Sequence, residues 1–205
     1  MNDNIFWFTA RGAGLSAMLM LSLATALGAF GSVRLRSAAA RIITQYMHRT
    51  AAILGLGLMA LHVTTLVLDS KAHVGLSGAL VPFAAHYRPN SVALGSIAAY
   101  LLLILTATGL ARGRLASSAI GARMWRGVHL LAYPMWGLTV LHGLLSGTDR
   151  GQTWVEGLDV LCILVVLAAA MYRFAHMDDE PNGLHASQGT PAAGVTARAL
   201  SGVAR

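Results

Sequence analysis

Two stretches, Thr44–Val63 (TQYMHRTAAILGLGLMALHV) and Trp125–Gly143 (WRGVHLLAYPMWGLTVLHG), are apolar apart from a few residues, and each carries two histidines. Most of the first lies in a run of 19 residues without a formal charge, between Arg49 and Asp69, and nearly all of the second in a run of 22, between Arg126 and Asp149. Similar runs separate Arg11 from Arg34 (22 residues) and Arg88 from Arg112 (23 residues). A helix needs about 20 apolar residues to cross the hydrocarbon core, so four spans are predicted. A fifth is expected between Trp154 and Phe174, where Asp159 interrupts the apolar run but Trp154, Tyr172 and Phe174 stand where interfacial aromatics belong. The expected fold is all-α, a polytopic membrane bundle of five transmembrane helices.

The bulk composition agrees. Of 205 residues, 56% are hydrophobic and 11% charged, and the mean hydropathy is +0.61. A soluble domain carries about a quarter charged residues, and a disordered chain needs low hydrophobicity. Fifteen basic against eight acidic residues leave a net charge of +7, but the placement of the basic residues removes any need for nucleic acid. Arg34, Arg36, Arg41 and Arg49 fall in one connection, and Arg112, Arg114, Arg123 and Arg126 in another. With Arg173, Arg198 and Arg205 these lie on one side, against Arg11, Lys71, Arg88 and Arg150 on the other. By the positive-inside rule the heavy side is cytoplasmic, which puts the N-terminus outside and the C-terminus inside an inner (plasma) membrane.

Residues 1–177 are read as the bundle and 178–205, small and polar, as a disordered cytoplasmic tail. The first apolar run exceeds the about 7–15 residues of a secretory signal, and Ile5–Phe8 reads as an interfacial anchor, so it counts as a span. Residues 72–87 (AHVGLSGALVPFAAHY) are uncharged but shorter than a span, and fit a loop, a surface helix or a re-entrant cap.

Spans two and four run in the same direction, so the depths of their histidines can be compared. His62 lies seven residues before Asp69 and His142 seven before Asp149, whereas His48 follows Arg41 by seven and His129 follows Arg123 by six. Two levels result, each with one imidazole from each span. A b-type haem takes axial ligands on opposite faces, and two histidines fill both positions. Fourteen residues on the second span return to within about 40° of the starting face, about 21 Å along the axis. Gly55, midway between His48 and His62, would let a flat macrocycle approach. Thirteen residues on the fourth span leave the second histidine about 140° off, and Pro134 between them predicts a kink or a local change of winding.

The 14- and 13-residue histidine spacings in these two segments resemble the transmembrane domain of ferric reductases and NADPH oxidases, over about Trp7 to Phe174. The resemblance implies two non-covalent haem b groups between the second and fourth spans, with His48 and His129 on the cytoplasmic haem iron and His62 and His142 on the outer one. It makes Arg41, Arg49, Arg123 and Arg126 candidates for the inner propionates, and Arg11 and Arg88 for the outer ones. The function it implies is transmembrane electron transfer, either as an oxidoreductase or as a cytochrome b subunit of one. The acceptor at the outer face would be ferric iron, dioxygen or a partner reductase. Five spans stand where the best-known members have six. No flavin or nicotinamide segment follows Phe174, so a separate donor protein, one supplying flavin or quinone, or a membrane quinol is expected.

Other readings compete. The histidines could be structural, in a non-catalytic membrane subunit or scaffold, or form a proton relay, for which Asp159 is the lone acidic candidate in the spans. Met135 and Trp136 could fill the gap between macrocycles or simply pack, and His73 and His86 could meet a metal substrate outside. The single cysteine, Cys162, excludes an internal disulfide and any multi-cysteine metal site. No CxxCH, GxxxxGK[ST] or GxSxG motif occurs.

Overall fold

The computed structural model describes residues 4–32, 37–149 and 151–176. Arg34, Arg36, Arg150 and the tail 178–205 lie outside the described residues. All regular structure among those described is helical: α1 (Ile5–Ser32), α2 (Ala38–Leu68), α3 (Gly75–Leu80), α4 (Pro89–Leu110), α5 (Arg112–Leu115), α6 (Ala119–His129), α7 (Ala132–Ser146) and α8 (Thr153–Ala175). Local chemistry marks the starts. Ser37 Oγ accepts from the Ala40 N–H at 3.0 Å, Ser118 Oγ accepts from the Gly121 N–H at 3.0 Å, and Pro89 occupies the first turn of α4.

Five helical stretches are long and apolar enough to cross a membrane: α1, α2, α4, the α6–α7 pair and α8. They match the five expected spans, and α8 runs through Asp159 without a break. The helix of the first apolar run is central, packing on α2, α7 and α8. Its buried face is built mostly from small residues, Ala10, Ala13, Ala17, Ala24 and Ala29 among them, which bring neighbouring backbones close. Two apolar clusters hold the bundle. Ala26, Ala29, Trp136, Val140, Val166 and Ala169 join α1, α7 and α8. Leu21, Leu102, Leu105 and Met135, with Leu56 and Met59 against them, join α1, α4 and α7 to α2. Trp136 donates its Nε1–H to Ser22 Oγ at 2.9 Å, which supplies the partner a buried indole needs.

The fourth span is broken where its proline demands it. Pro134 has no N–H and its ring crowds the carbonyl four residues back, that of Leu130. The helix stops at His129 and restarts at Ala132. There the Leu130 N–H is shared between the Arg126 carbonyl, four residues back, at 3.1 Å and the Gly127 carbonyl at 3.2 Å, and the N–H groups of Leu131 and Tyr133 reach back three residues, to Val128 and Leu130, at 3.0 and 3.2 Å. Such 3₁₀ turns wind about 120° per residue instead of about 100°, the sense that reduces the misfit of a 13-residue histidine spacing.

Residues 71–88 fold as a flap against α2 and α4. The Ala79 carbonyl accepts from Ser96 Oγ at 2.9 Å and the Leu80 carbonyl from the Tyr100 hydroxyl, so α3 is pinned down the side of α4.

Gly55 has a neighbour other than the expected open space. A Cβ there would come within 2.8 Å of Leu21 Cδ2, so its missing side chain admits α1 to α2. Gly55→Val is expected to lower stability by about 1–3 kcal/mol in thermal unfolding in detergent. Gly57→Ala, with nothing within 4 Å of its added methyl, should be neutral or slightly stabilising.

At the end of the bundle that carries Asp69 and Asp149, Arg11 of α1 pairs with Asp149 beyond α7 and donates its Nε–H to Oδ2 at 2.8 Å. Both side chains are partly buried. A double-mutant cycle with Arg11→Gln and Asp149→Asn should show coupling on the order of 1 kcal/mol in the same unfolding assay, weakening as salt is raised.

Candidate functional site

The four intramembrane histidines are held from behind by neighbouring helices. His62 of α2 donates its Nδ1–H to the Ala10 carbonyl of α1, His48 of α2 to the Ala24 carbonyl of α1, and His142 of α7 to the Ser91 carbonyl of α4, each at 2.7 Å. A helix carbonyl is ordinarily covered by the side chain four residues on, which leans back over the preceding turn. At all three acceptors that residue is glycine: Gly14, Gly28 and Gly95. A Cβ at Gly14 or Gly95 would lie 2.8 Å from the Nδ1 of His62 or His142, and one at Gly28 would lie 3.2 Å from His48 Cε1. The glycine is what lets the imidazole reach the carbonyl. Because a carbonyl only accepts, Nδ1 carries the proton and Nε2 is left with its lone pair.

His129 departs from this pattern. Gly109 stands opposite it, but a Cβ there would be 3.9 Å from Cε1, and His129 Nδ1 is buried without a partner. Instead its ring stacks on Trp125, with centroids 4.9 Å apart and planes at 23°. The Arg112 guanidinium lies over Trp125, 4.8 Å from the ring centroid.

These placements bring the histidines together in the two pairs expected. His48 and His129 have ring centroids 6.2 Å apart, and His62 and His142 6.3 Å, with planes inclined at 62° and 81°. Neither α6 nor α7 packs appreciably on α2, so the paired rings face each other across a gap between helices. A first-row metal bonds imidazole nitrogen at about 2.0 Å, and a ring of about 1.3 Å bonds has a radius of about 1.1 Å. Two imidazoles bound through Nε2 to one ion therefore place their centroids about 6 Å apart. Each pair has that separation. Among the described residues no group of three or more His, Cys, Asp or Glu gathers as a metal site.

At the aspartate end His62 and His142 line a mostly apolar cavity of about 590 Å³ that also meets Gly14, Gly95, Tyr87 and Ala72. The flap of residues 71–88 thus forms part of its wall. Arg11 lines it and is tied to Asp149; Lys71, Glu156 and Asp159 line it as well. Arg88 lies outside this lining. Its guanidinium donates to the Leu145 carbonyl at 2.5 Å and sits over Tyr87, which binds the start of α4 to the end of α7. His73 and His86 are exposed and do not join the cavity.

At the opposite, arginine-rich end, Arg41, Arg49, Arg123 and Arg126 are exposed, and no described carboxylate stands among them. Between the two levels Met135 is buried in the Leu21–Leu102–Leu105 cluster, whereas Trp136 faces α1 and α8. Cys162 is buried in α8 with a free thiol. The sequence reading missed Gly14, Gly28, Gly95 and Gly109, whose 14-residue repeats on α1 and α4 equal the spacing of His48 and His62. Compared with protein-family profiles, curated proteins and solved structures, the chain matches none.

Proposed function

We propose that this chain is a membrane cytochrome holding two haem b groups, one between His48 and His129 and one between His62 and His142, and that it carries electrons across the bilayer. The observation that carries the proposal is the recurrence of one geometry: two facing imidazoles with centroids 6.2 and 6.3 Å apart, at two levels. A pair of histidines without further protein ligands suits a group that brings its own equatorial donors, and a porphyrin brings four. Haem b supplies one-electron Fe(III)/Fe(II) chemistry.

The chain's own residues do the rest. Ala10, Ala24 and Ser91 hold three imidazoles in the tautomer that presents Nε2, a form of outer support that also makes the ligand more basic. His62 and His142 would hold the group at the outer level, where it would supply one-electron exchange with an acceptor, and the cavity that they line reaches Arg11 and Tyr87. Arg11 and Lys71 at one end, and Arg49, Arg126, Arg41 and Arg123 at the other, are the cations suited to propionates.

The excess of arginine orients the chain with the His48–His129 level toward the cytoplasm of an inner membrane. The likeness to ferric reductase-type domains supports a donor on that side or in the quinol pool, and ferric iron, dioxygen or a partner reductase as acceptor outside.

Pyridine haemochrome quantification on the purified, haem-reconstituted protein should return two haem b per chain. His62→Ala, His142→Ala, His48→Ala and His129→Ala should each return one. Protein without b-type absorbance, or variants that keep both haems, would overturn the proposal, and the first outcome would favour structural histidines. Support from behind is tested separately. Gly95→Ala and Gly14→Ala push the outer imidazoles off their carbonyls and should lower occupancy of that level severalfold, whereas Gly12→Ala, with open space around it, should retain two haems.

A further inference from the structure

Three of the four ligand imidazoles rest on a helix carbonyl and the fourth does not. The register on α4 shows where its acceptor would be. Ser91 precedes Gly95 by four residues and serves His142; Leu105 precedes Gly109 by four and stands in the corresponding place for His129. The Thr108 hydroxyl, however, which donates to the Ile104 carbonyl at 2.8 Å, also stands 3.1 Å from the Leu105 carbonyl, and Gly109 stands further from His129 than its counterparts stand from theirs. His129 is steadied by the face of Trp125 instead, and Trp125 by Arg112.

Resting on the reading that each pair holds haem b, we propose that Trp125 is the positioning residue of His129, and that exchanging a carbonyl for this stack gives the cytoplasmic-side centre the higher midpoint potential. Three effects share that sign. An imidazole that donates to a carbonyl is more basic and favours Fe(III); both outer ligands do so, but only His48 at the inner level. The Arg112 cation beside the His129 stack favours the less positive, reduced centre. At the outer level Asp149, Glu156 and Asp159 line the cavity against Arg11 and Lys71, a net negative surround that favours the oxidised one. Outward transfer between the centres then runs uphill and is driven by the inside-negative membrane potential.

The test is a spectroelectrochemical titration of the haem-loaded, full-length protein, with electron paramagnetic resonance of the low-spin ferric signals. Wild type should titrate as two one-electron components. His62→Ala, keeping the inner centre, should retain the upper component, and His129→Ala, keeping the outer, the lower. Trp125→Leu should shift the upper midpoint and broaden its ferric signal while leaving the lower one in place, and Trp125→Phe, which keeps a stacking face, should restore both. An inner-only midpoint at or below the outer-only one overturns the inference, as does a Trp125→Leu protein with both components unchanged. A wild-type chain that takes up no haem b overturns the underlying reading instead.

Discussion

An imidazole in hydrocarbon has two nitrogens to satisfy and no water to satisfy them, and the bundle answers with hydrogen bonds to helix carbonyls. Those carbonyls already accept within their own helices, but each retains a second lone pair that an N–H can reach if no side chain covers it. Gly14, Gly28 and Gly95 leave Ala10, Ala24 and Ser91 uncovered, and His62, His48 and His142 fill the openings at 2.7 Å. Much else follows from that contact. It brings α2 onto α1 and α7 onto α4, and His62 and His142 stand on either side of the gap between α2 and α7. It also selects the tautomer whose free nitrogen is Nε2. The small residues of α1 serve the same end, because a bulky α1 could not support α2 on one side and α7 and α8 on the other.

The spans and levels were legible in the sequence because both rest on local chemistry. Runs free of charge found α1, α2, α4 and the α6–α7 pair; Trp154 and Tyr172 found α8 despite Asp159, a carboxylate tolerated because it lines a cavity. Equal distances from Asp69 and Asp149 paired His62 with His142, and the imidazoles do meet. What could not be read was which helix backs which. Gly55 shares a face with His48 and His62, as counting by sevens shows, but that face turns out to press on Leu21 of α1. Arg88, a candidate for the outer propionates by its position, donates its guanidinium to the Leu145 carbonyl and lies outside the cavity wall. The glycine repeats had equal spacing in plain sight, but among 22 glycines a 14-residue interval carries no meaning until the partner helix's register is known.

The two halves of the bundle differ by one residue. On α1 and α2 the glycines and the histidines both repeat at 14, so two hydrogen bonds form together. On α4 the glycines repeat at 14, but His129 and His142 are 13 apart. A missing residue shortens the axial distance by about 1.5 Å and turns the side chain by about 100°. Each 3₁₀ step adds about 0.5 Å and about 20° over an α-helical one, so the two such hydrogen bonds at the break before Pro134, with the shared one of Leu130, restore most of the length but only part of the angle. That is the pattern observed. The two pairs have almost the same separation, so the levels match, but His129 is turned from its carbonyl and its Nδ1 is left without a partner. Trp125, one turn earlier on the same helix segment, moves with His129 whatever the winding at the break, which is why a stack can support this imidazole where a contact to α4 does not.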